Sequence, residues 1–303
     1  MDKLKNYMIA LRPWSFSASL TPVLLGSVLA YKNMDSGKNP FNFLIFILSL
    51  ISALCVHGAG NLVNTYYDYK NGIDNENTTS DRTLVDKLLK PEDITKFGVV
   101  LYLFGSLSFF SMLFLSPARE EILAFIYFGG LSLSFMYTGG IGFKYMALGD
   151  LIIIITFGPI TVLFAYISQL GSYSEHENIL YELYLKPLLF ALPLALNTEA
   201  ILHSNNARDL SYDKKSGIVT LAIYLGFTGS YILYTILIFL PYLIFLVMGL
   251  KYSLFYLLPI LTIKIAFNLE KDFRYHNLNS LPLKTAQLNL IFGLLYVFSC
   301  LLS

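Results

Sequence analysis

About nine runs of apolar residues, each close to the length of a helix that crosses a bilayer, divide this 303-residue chain. They fall near residues 14–32, 41–66, 97–115, 120–138, 148–169, 185–206, 228–249, 252–268 and 284–302. A bilayer's hydrocarbon core takes roughly 20 residues of helix to cross, so the pattern predicts an all-α, multi-pass transmembrane helical bundle. Composition agrees: 55% of residues are hydrophobic, 14% are charged, and mean hydropathy is +0.60, outside the range of ordinary soluble domains. The stretch from Asp209 to Phe227 mixes polar and apolar residues and is assigned to no span. The chain reads as one membrane domain over 1–303.

Charge sets an expected orientation. Basic residues gather before the first span (Lys3, Lys5, Arg12) and after the second (Lys70, Arg82, Lys87, Lys90, Lys96). More follow the fourth (Lys144) and the sixth (Arg208, Lys214, Lys215), and others lie between the eighth and ninth. The alternate loops are poorer in them, which predicts a cytoplasmic N-terminus and a C-terminus on the far side. The acceptor-like Asn77-Thr78-Thr79 then faces the cytoplasm and should stay unglycosylated. A net charge of +1 provides no field for nucleic acid. Cys55 and Cys300 each lie in an apolar run and read as packing residues.

Two polar clusters interrupt this background at the ends of the second and sixth spans. One is Asn64-Thr-Tyr-Tyr-Asp68, continuing to Gly72 and Asp74; the other is Asn205-Asn-Ala-Arg-Asp209-Leu-Ser-Tyr-Asp213. Residues four apart share a helix face, so Asn64 stands with Asp68, and Asn205 with Asp209 and Asp213. Gly72 is placed to break the helix and turn Asp74 back towards the same point. Shared spacing at matching helix ends suggests an internal repeat of two halves facing one pocket. His57 and Asn61 extend the polar stripe of the second span, and Glu199, His203 and Asn206 form a neighbouring stripe on the sixth.

Carboxylates at membrane depth need a partner that offsets their desolvation. Two facing groups of hard oxygen ligands, Asn64, Asp68, Asp74, Asn205, Asp209 and Asp213, suit Mg²⁺ holding a diphosphate, and point to an enzyme acting on such a substrate at a membrane surface. Lys70, Lys144, Arg208 and Lys214 are available for phosphate contacts. With 22 Tyr and 24 Phe, the chain has ring faces to shield a carbocation. The bland readings are a solvated helix cap for either motif alone, headgroup contacts for the basic residues, and interhelical hydrogen bonds for His57, His203, Asp150 and Glu199. A transporter would more often break its helices at mid-span.

Several runs carry a resemblance: Leu11-Arg-Pro-Trp-Ser-Phe-Ser-Ala-Ser-Leu-Thr-Pro22, Gly60 to Asp68 with Gly72 and Asp74, Tyr137-Thr-Gly-Gly-Ile-Gly-Phe-Lys144 with Leu148-Gly-Asp150, and Asn205 to Asp213 with Gly217-Ile-Val-Thr-Leu221. Together they resemble the UbiA superfamily of intramembrane prenyltransferases over nearly the whole chain. Asp81-Arg-Thr-Leu-Val-Asp86 and Thr198 to Asn206 look most like its animal, naphthoquinol-prenylating subgroup. The resemblance implies nine helices around a central cavity open sideways to lipid. It also implies Mg²⁺-dependent transfer of a geranylgeranyl group from its diphosphate to reduced menadione or a similar naphthoquinol, giving menaquinone-4 (vitamin K2).

On that resemblance the six Asn and Asp residues above are the metal positions. Asp68, Asp74, Asp209, Asp213, Lys144 and Tyr137 are catalytic, with Tyr137 and Lys144 at the diphosphate. From the residues themselves, Arg208, Lys70 and Lys214 beside the clusters are read with Asn64, Asn205 and Asp150 as substrate contacts, and Asp150 or an Asp-bound water as the candidate proton acceptor. Acceptors of the 1,4-dihydroxy-2-naphthoate or 4-hydroxybenzoate type remain alternatives, as does a lipid-responsive regulator that binds a sterol-pathway reductase. The resemblance further implies endoplasmic reticulum or Golgi membranes, with a mitochondrial membrane second.

Overall fold

The structure is a computed structural model, described for residues 2–34, 40–75, 81–170 and 180–303. Asn77, Thr78 and Thr79 lie outside those residues. Helix is the only extended regular structure among the described residues; a lone bridge between Met146 and Val219 is the sole β-type pairing. In chain order the helices are α1 (Asp2–Leu11), α2 (Ser17–Asn33), α3 (Phe43–Lys70), α4 (Pro91–Leu113), α5 (Glu120–Met136), α6 (Gly149–Ile155), α7 (Thr161–Leu170), α8 (Lys186–Lys215), α9 (Leu221–Lys251), α10 (Ile263–Arg274) and α11 (Leu281–Leu302).

Each expected span corresponds to helical structure, but seven, not nine, are both long and apolar enough to cross a bilayer among the described residues. Helix α5 has 17 residues. The eighth expected span is split between a 3₁₀ stretch, Leu254–Thr262, and the polar helix α10. Pro259 inside that stretch has no N–H for an α-helical bond. The fifth span also changes geometry midway, with a π-turn at Thr156–Ile160 joining α6 to α7. Pro159 removes a donor there, and Thr161 Oγ1 donates to the Thr156 carbonyl at 2.7 Å. The Asp209–Phe227 stretch resolves into the last turns of α8, a short connection and the start of α9.

Lipid-facing and buried surfaces separate by helical period. Val99, Leu103, Leu107 and Phe110 form an exposed stripe on α4, while Phe109 and Met112 of the same helix are fully buried. Phe109 stacks on Tyr127 of α5 with ring centroids 4.2 Å apart. Both cysteines are free and buried, as packing residues should be.

The ends of α3 and α8 position the two polar clusters. Asn42 opens α3, its side chain accepting from the N–H groups of Leu44 and Ile45. At the other end Gly72 takes φ +72°, and the N–H groups of Gly72 and Ile73 donate to the carbonyls of Tyr69 and Asp68. Helix α8 closes identically: Gly217 takes φ +72°, and Gly217 and Ile218 donate to Lys214 and Asp213. These are matching Schellman motifs, which need a left-handed residue after the helix. Aligned by their caps, Asp68 matches Asp213, so the repeat is displaced by one helical turn from the Asn64/Asn205 register of the sequence.

Candidate active site

A cavity of about 600 Å³ lies between α2, α3, α5, α6 and α8, with both clusters on its wall. Asn64, Asp68, Asp74, Asn205, Asp209, Asp213, Tyr137, Lys144 and Arg208 all line it. Turning of Asp74 back to the cluster is visible in its backbone, whose N–H donates to the Asp68 carbonyl at 3.1 Å. Away from this mouth the lining becomes largely apolar, through Val56, Leu133, Ile153, Phe157 and Ile160 to Ala53, with His57, Ser134, Thr156 and Thr161 as polar interruptions.

Asp68 is the centre of the first cluster. Its Oδ2 accepts from Lys144 Nζ at 2.5 Å and Asn64 Nδ2 at 2.8 Å, and its Oδ1 accepts from the Tyr145 hydroxyl at 2.7 Å. Burial disfavours the Lys144 ammonium, but Asp68, helped by Asp213 and Asp74, outweighs it and raises its pKa above the usual 10.5. One ammonium therefore feels carboxylates of both clusters. The loop carrying it is pinned by a bond from Ala147 N–H to the Val219 carbonyl, 2.7 Å, beyond the end of α8. In the second cluster the Arg208 guanidinium grips Asp209 with two bonds, 2.7 and 2.6 Å, and reaches Asn205 Oδ1 at 2.7 Å.

Three expected contacts are not on the cavity wall. Lys70 is exposed, its ammonium over the rings of Tyr66 and Tyr67. Lys214 is exposed as well. Asp150 is buried behind the wall, its Oδ1 3.3 Å from His203 Nδ1.

Sequence reasoning missed Arg12, Asp81 and Tyr145. Arg12 donates to Asn64 Oδ1 at 3.0 Å and Asp81 Oδ2 at 2.7 Å, so it braces a cluster residue directly. Asp81 also accepts from Thr65 Oγ1, and its Oδ1 caps the Thr83 N–H. Burial alone would raise the Asp81 carboxyl, yet Arg12 and these hydrogen bonds hold it well below the usual carboxylate range. The available signal was the Arg-Pro-Trp and Asp-Arg-Thr runs, polar residues beside spans with no partner nearby in sequence. His57 lines the cavity with Ser15 and Ser19 at its ring nitrogens, 3.2 and 2.7 Å away.

Five carboxylates (Asp68, Asp74, Asp81, Asp209, Asp213) face four cationic side chains (Arg12, Arg82, Lys144, Arg208) around the cavity. A diphosphate would meet net repulsion there unless further cations came with it. The donor set of the clusters is all oxygen, from carboxylates and amides, which fits Mg²⁺ and disfavours softer ions.

An integral-membrane bundle whose apolar cavity opens at an acidic, cation-ready mouth defines a class of protein that handles an anionic headgroup on a hydrocarbon tail. The chain belongs to the UbiA prenyltransferase family, whose sequence model matches residues 19–302. It is 54% identical over 302 residues to UbiA prenyltransferase domain-containing protein 1 of Homo sapiens, covering 100% of this chain and 85% of that one. The Drosophila melanogaster homologue of that protein is 52% identical over 299 residues, covering 98% and 80%. Among solved structures, an apo UbiA homologue from Aeropyrum pernix K1 superposes with TM-score 0.68 at 14% identity, covering 93% of this chain and 96% of that one. One from Archaeoglobus fulgidus bound to DMAPP and Mg²⁺ has TM-score 0.58 at 13% identity, covering 97% and 99%.

Proposed function

We propose that this prenyltransferase moves a geranylgeranyl group from its diphosphate to a ring carbon of a naphthoquinol such as reduced menadione, forming menaquinol-4, the reduced form of menaquinone-4. One observation carries the reading: a single cavity joins both Asn/Asp clusters to an apolar shaft that reaches Ala53. Ala53 precedes Asp68 by fifteen residues of α3, about 22 Å at 1.5 Å per residue, a length suited to a long isoprenoid tail. The relatives' prenyltransferase names, and the neighbour bound to DMAPP and Mg²⁺, support the same chemistry.

Asn64, Asp68, Asp74, Asn205, Asp209 and Asp213 would hold Mg²⁺. Bound there, it would supply positive charge that offsets the carboxylates and stabilises the departing diphosphate. Lys144 and Arg208, now on Asp68 and Asp209, stand where they can turn their donors to diphosphate oxygens. The C–O bond breaks with its electron pair on the diphosphate, the quinol carbon forms the new C–C bond, and the ring proton is released to the polar mouth. Ring faces of Phe157 and Tyr137 on the wall shield the allylic cation from water. By the basic-residue bias the mouth opens to the cytoplasm; endoplasmic reticulum or Golgi membranes are the proposed site.

The test is product mass after offering purified protein geranylgeranyl diphosphate and menadiol. Wild type should yield the prenylated naphthoquinol, weighed as the quinone after air oxidation, and Asp68→Ala and Asp209→Ala should each lose it. Near-normal turnover in either variant defeats the two-cluster reading. Preferential use of 1,4-dihydroxy-2-naphthoate or 4-hydroxybenzoate in an acceptor panel reassigns the acceptor.

A further inference from the structure

Behind the cavity wall, α6 and α8 bring together a second polar group that the transfer reading does not use. Asp150 at the start of α6, with Glu199 and His203 one turn apart on α8, places a ligand atom of each within 4.8 Å of the others. All three are buried: Asp150 is 7% exposed, Glu199 3% and His203 0%.

The hydrogen-bond roles leave this centre short of donors. His203 Nε2 lies 3.1 Å from the Ser230 carbonyl, an acceptor only, so Nε2 carries the proton. In a neutral imidazole Nδ1 is then a bare lone pair, and it points at Asp150 Oδ1, another acceptor, 3.3 Å away. Neither oxygen of Glu199 meets a donor at hydrogen-bonding geometry, and the side chain that interacts with it is the Asp150 carboxyl. With the imidazole neutral and both carboxyls ionised, three lone-pair groups converge in a dry interior, and either a bound cation or a shared proton must neutralise them.

We propose that Asp150, Glu199 and His203 bind a second divalent cation, of the zinc class, separate from the diphosphate site. The Nδ1–Oδ1 separation matches the about 3.3 Å expected between two ligands of a tetrahedral ion with bonds of roughly 2.0–2.1 Å. A metal-bound histidine ordinarily donates its other N–H to a carbonyl or carboxylate, as Nε2 does to Ser230. One nitrogen with two carboxylates suits Zn²⁺ better than Mg²⁺, which prefers oxygen and retains waters. The ion would clamp α6 to α8 directly behind Tyr137, which lies within electrostatic reach of Asp150 and Glu199 on one side and Asp68 on the other. Its role is structural, and the inference stands without the prenyl-transfer reading.

The experiment is elemental analysis of the full-length protein, purified in detergent, equilibrated with Zn²⁺ and excess Mg²⁺, then freed of loose metal. Wild type should retain about one Zn²⁺ per chain, with an X-ray absorption signature of one nitrogen and several oxygen ligands. Glu199→Gln, which preserves shape, and His203→Ala should lower occupancy at least tenfold, whereas Asp209→Ala should keep the ion. Sub-stoichiometric zinc in folded wild type overturns the site. So does Glu199→Gln retaining full occupancy, or melting higher than wild type in the presence of zinc, because either shows that a shared proton supplies the missing charge.

Discussion

The ammonium of Lys144 lies 2.5 Å from Oδ2 of Asp68, and the other oxygen of that carboxylate accepts from Tyr145. A basic side chain thus neutralises Asp68 here, and under the proposed function it would turn to the diphosphate when substrate binds. Lys144→Met should lower turnover by about 10²-fold, the usual loss for one donor to a developing anion. It should also lower the Mg²⁺ concentration for half-maximal binding, since a competitor for Asp68 is gone. Steady-state turnover with a labelled diphosphate, read across a magnesium series, checks both.

Arg12 and Asp81 act as one unit across 69 positions of sequence, with side chains only 24% and 11% exposed. Removing one partner strands the other, so Asp81→Asn and Arg12→Met should each destabilise the fold by about 2–4 kcal/mol. The double variant should lose less than the sum. Because Arg12 also holds Asn64, either single variant should raise KM for the diphosphate. Denaturation midpoints of the four proteins in a double-mutant cycle give the coupling; additive losses mean the pair contributes no net interaction.

The same pairs set a pH window. The Asp81 carboxyl is held below its usual 3.8, so its stabilisation is present above that value and is lost as pH falls through the lower folded value. The Lys144 ammonium is raised above 10.5, so its contribution is complete below that value and is lost as pH rises past it. Neither titrates near neutrality. The melting-temperature gap between wild type and Asp81→Asn should stay constant from about pH 5 to 9 and close only in stronger acid. A gap that closes between pH 5 and 7 would contradict the Arg12 assignment.

Ala53 marks the far apolar end of the shaft. Ala53→Trp should shorten the tail that fits, favouring geranyl over geranylgeranyl diphosphate by 10-fold or more while sparing the mouth. Competition between the two diphosphates, with products weighed by mass, reads the ratio. An unchanged ratio places the tail elsewhere, along the lipid-facing side.

Some of this was legible residue by residue. The i, i+4 spacing of Asn64 with Asp68, and of Asn205 with Asp209 and Asp213, fixed a shared helix face, and Gly72 announced the turn that brings Asp74 back. Helical period also held a warning about the basic residues. Lys70 follows Asp68 by two positions, about 200° around the axis, and Lys214 follows Asp213 by one, about 100°. Both were counted with the site from proximity in sequence, and both point away from it. The one-turn displacement between the two halves was hidden because α8 runs a turn past Asp209 before its cap, which only its hydrogen bonds reveal.

Hydropathy alone determined that the chain crosses a membrane as helices, because lipid offers no solvent for unpaired backbone, and the order of the spans determined that both acidic clusters open at one end. Which polar groups meet there was decided by tertiary structure. Arg12 finds Asp81 and Asn64, Lys144 finds Asp68, and His203 finds Asp150 only after separate helices and loops pack, since the relative rotation and depth of two helices are properties of their contact and not of either sequence.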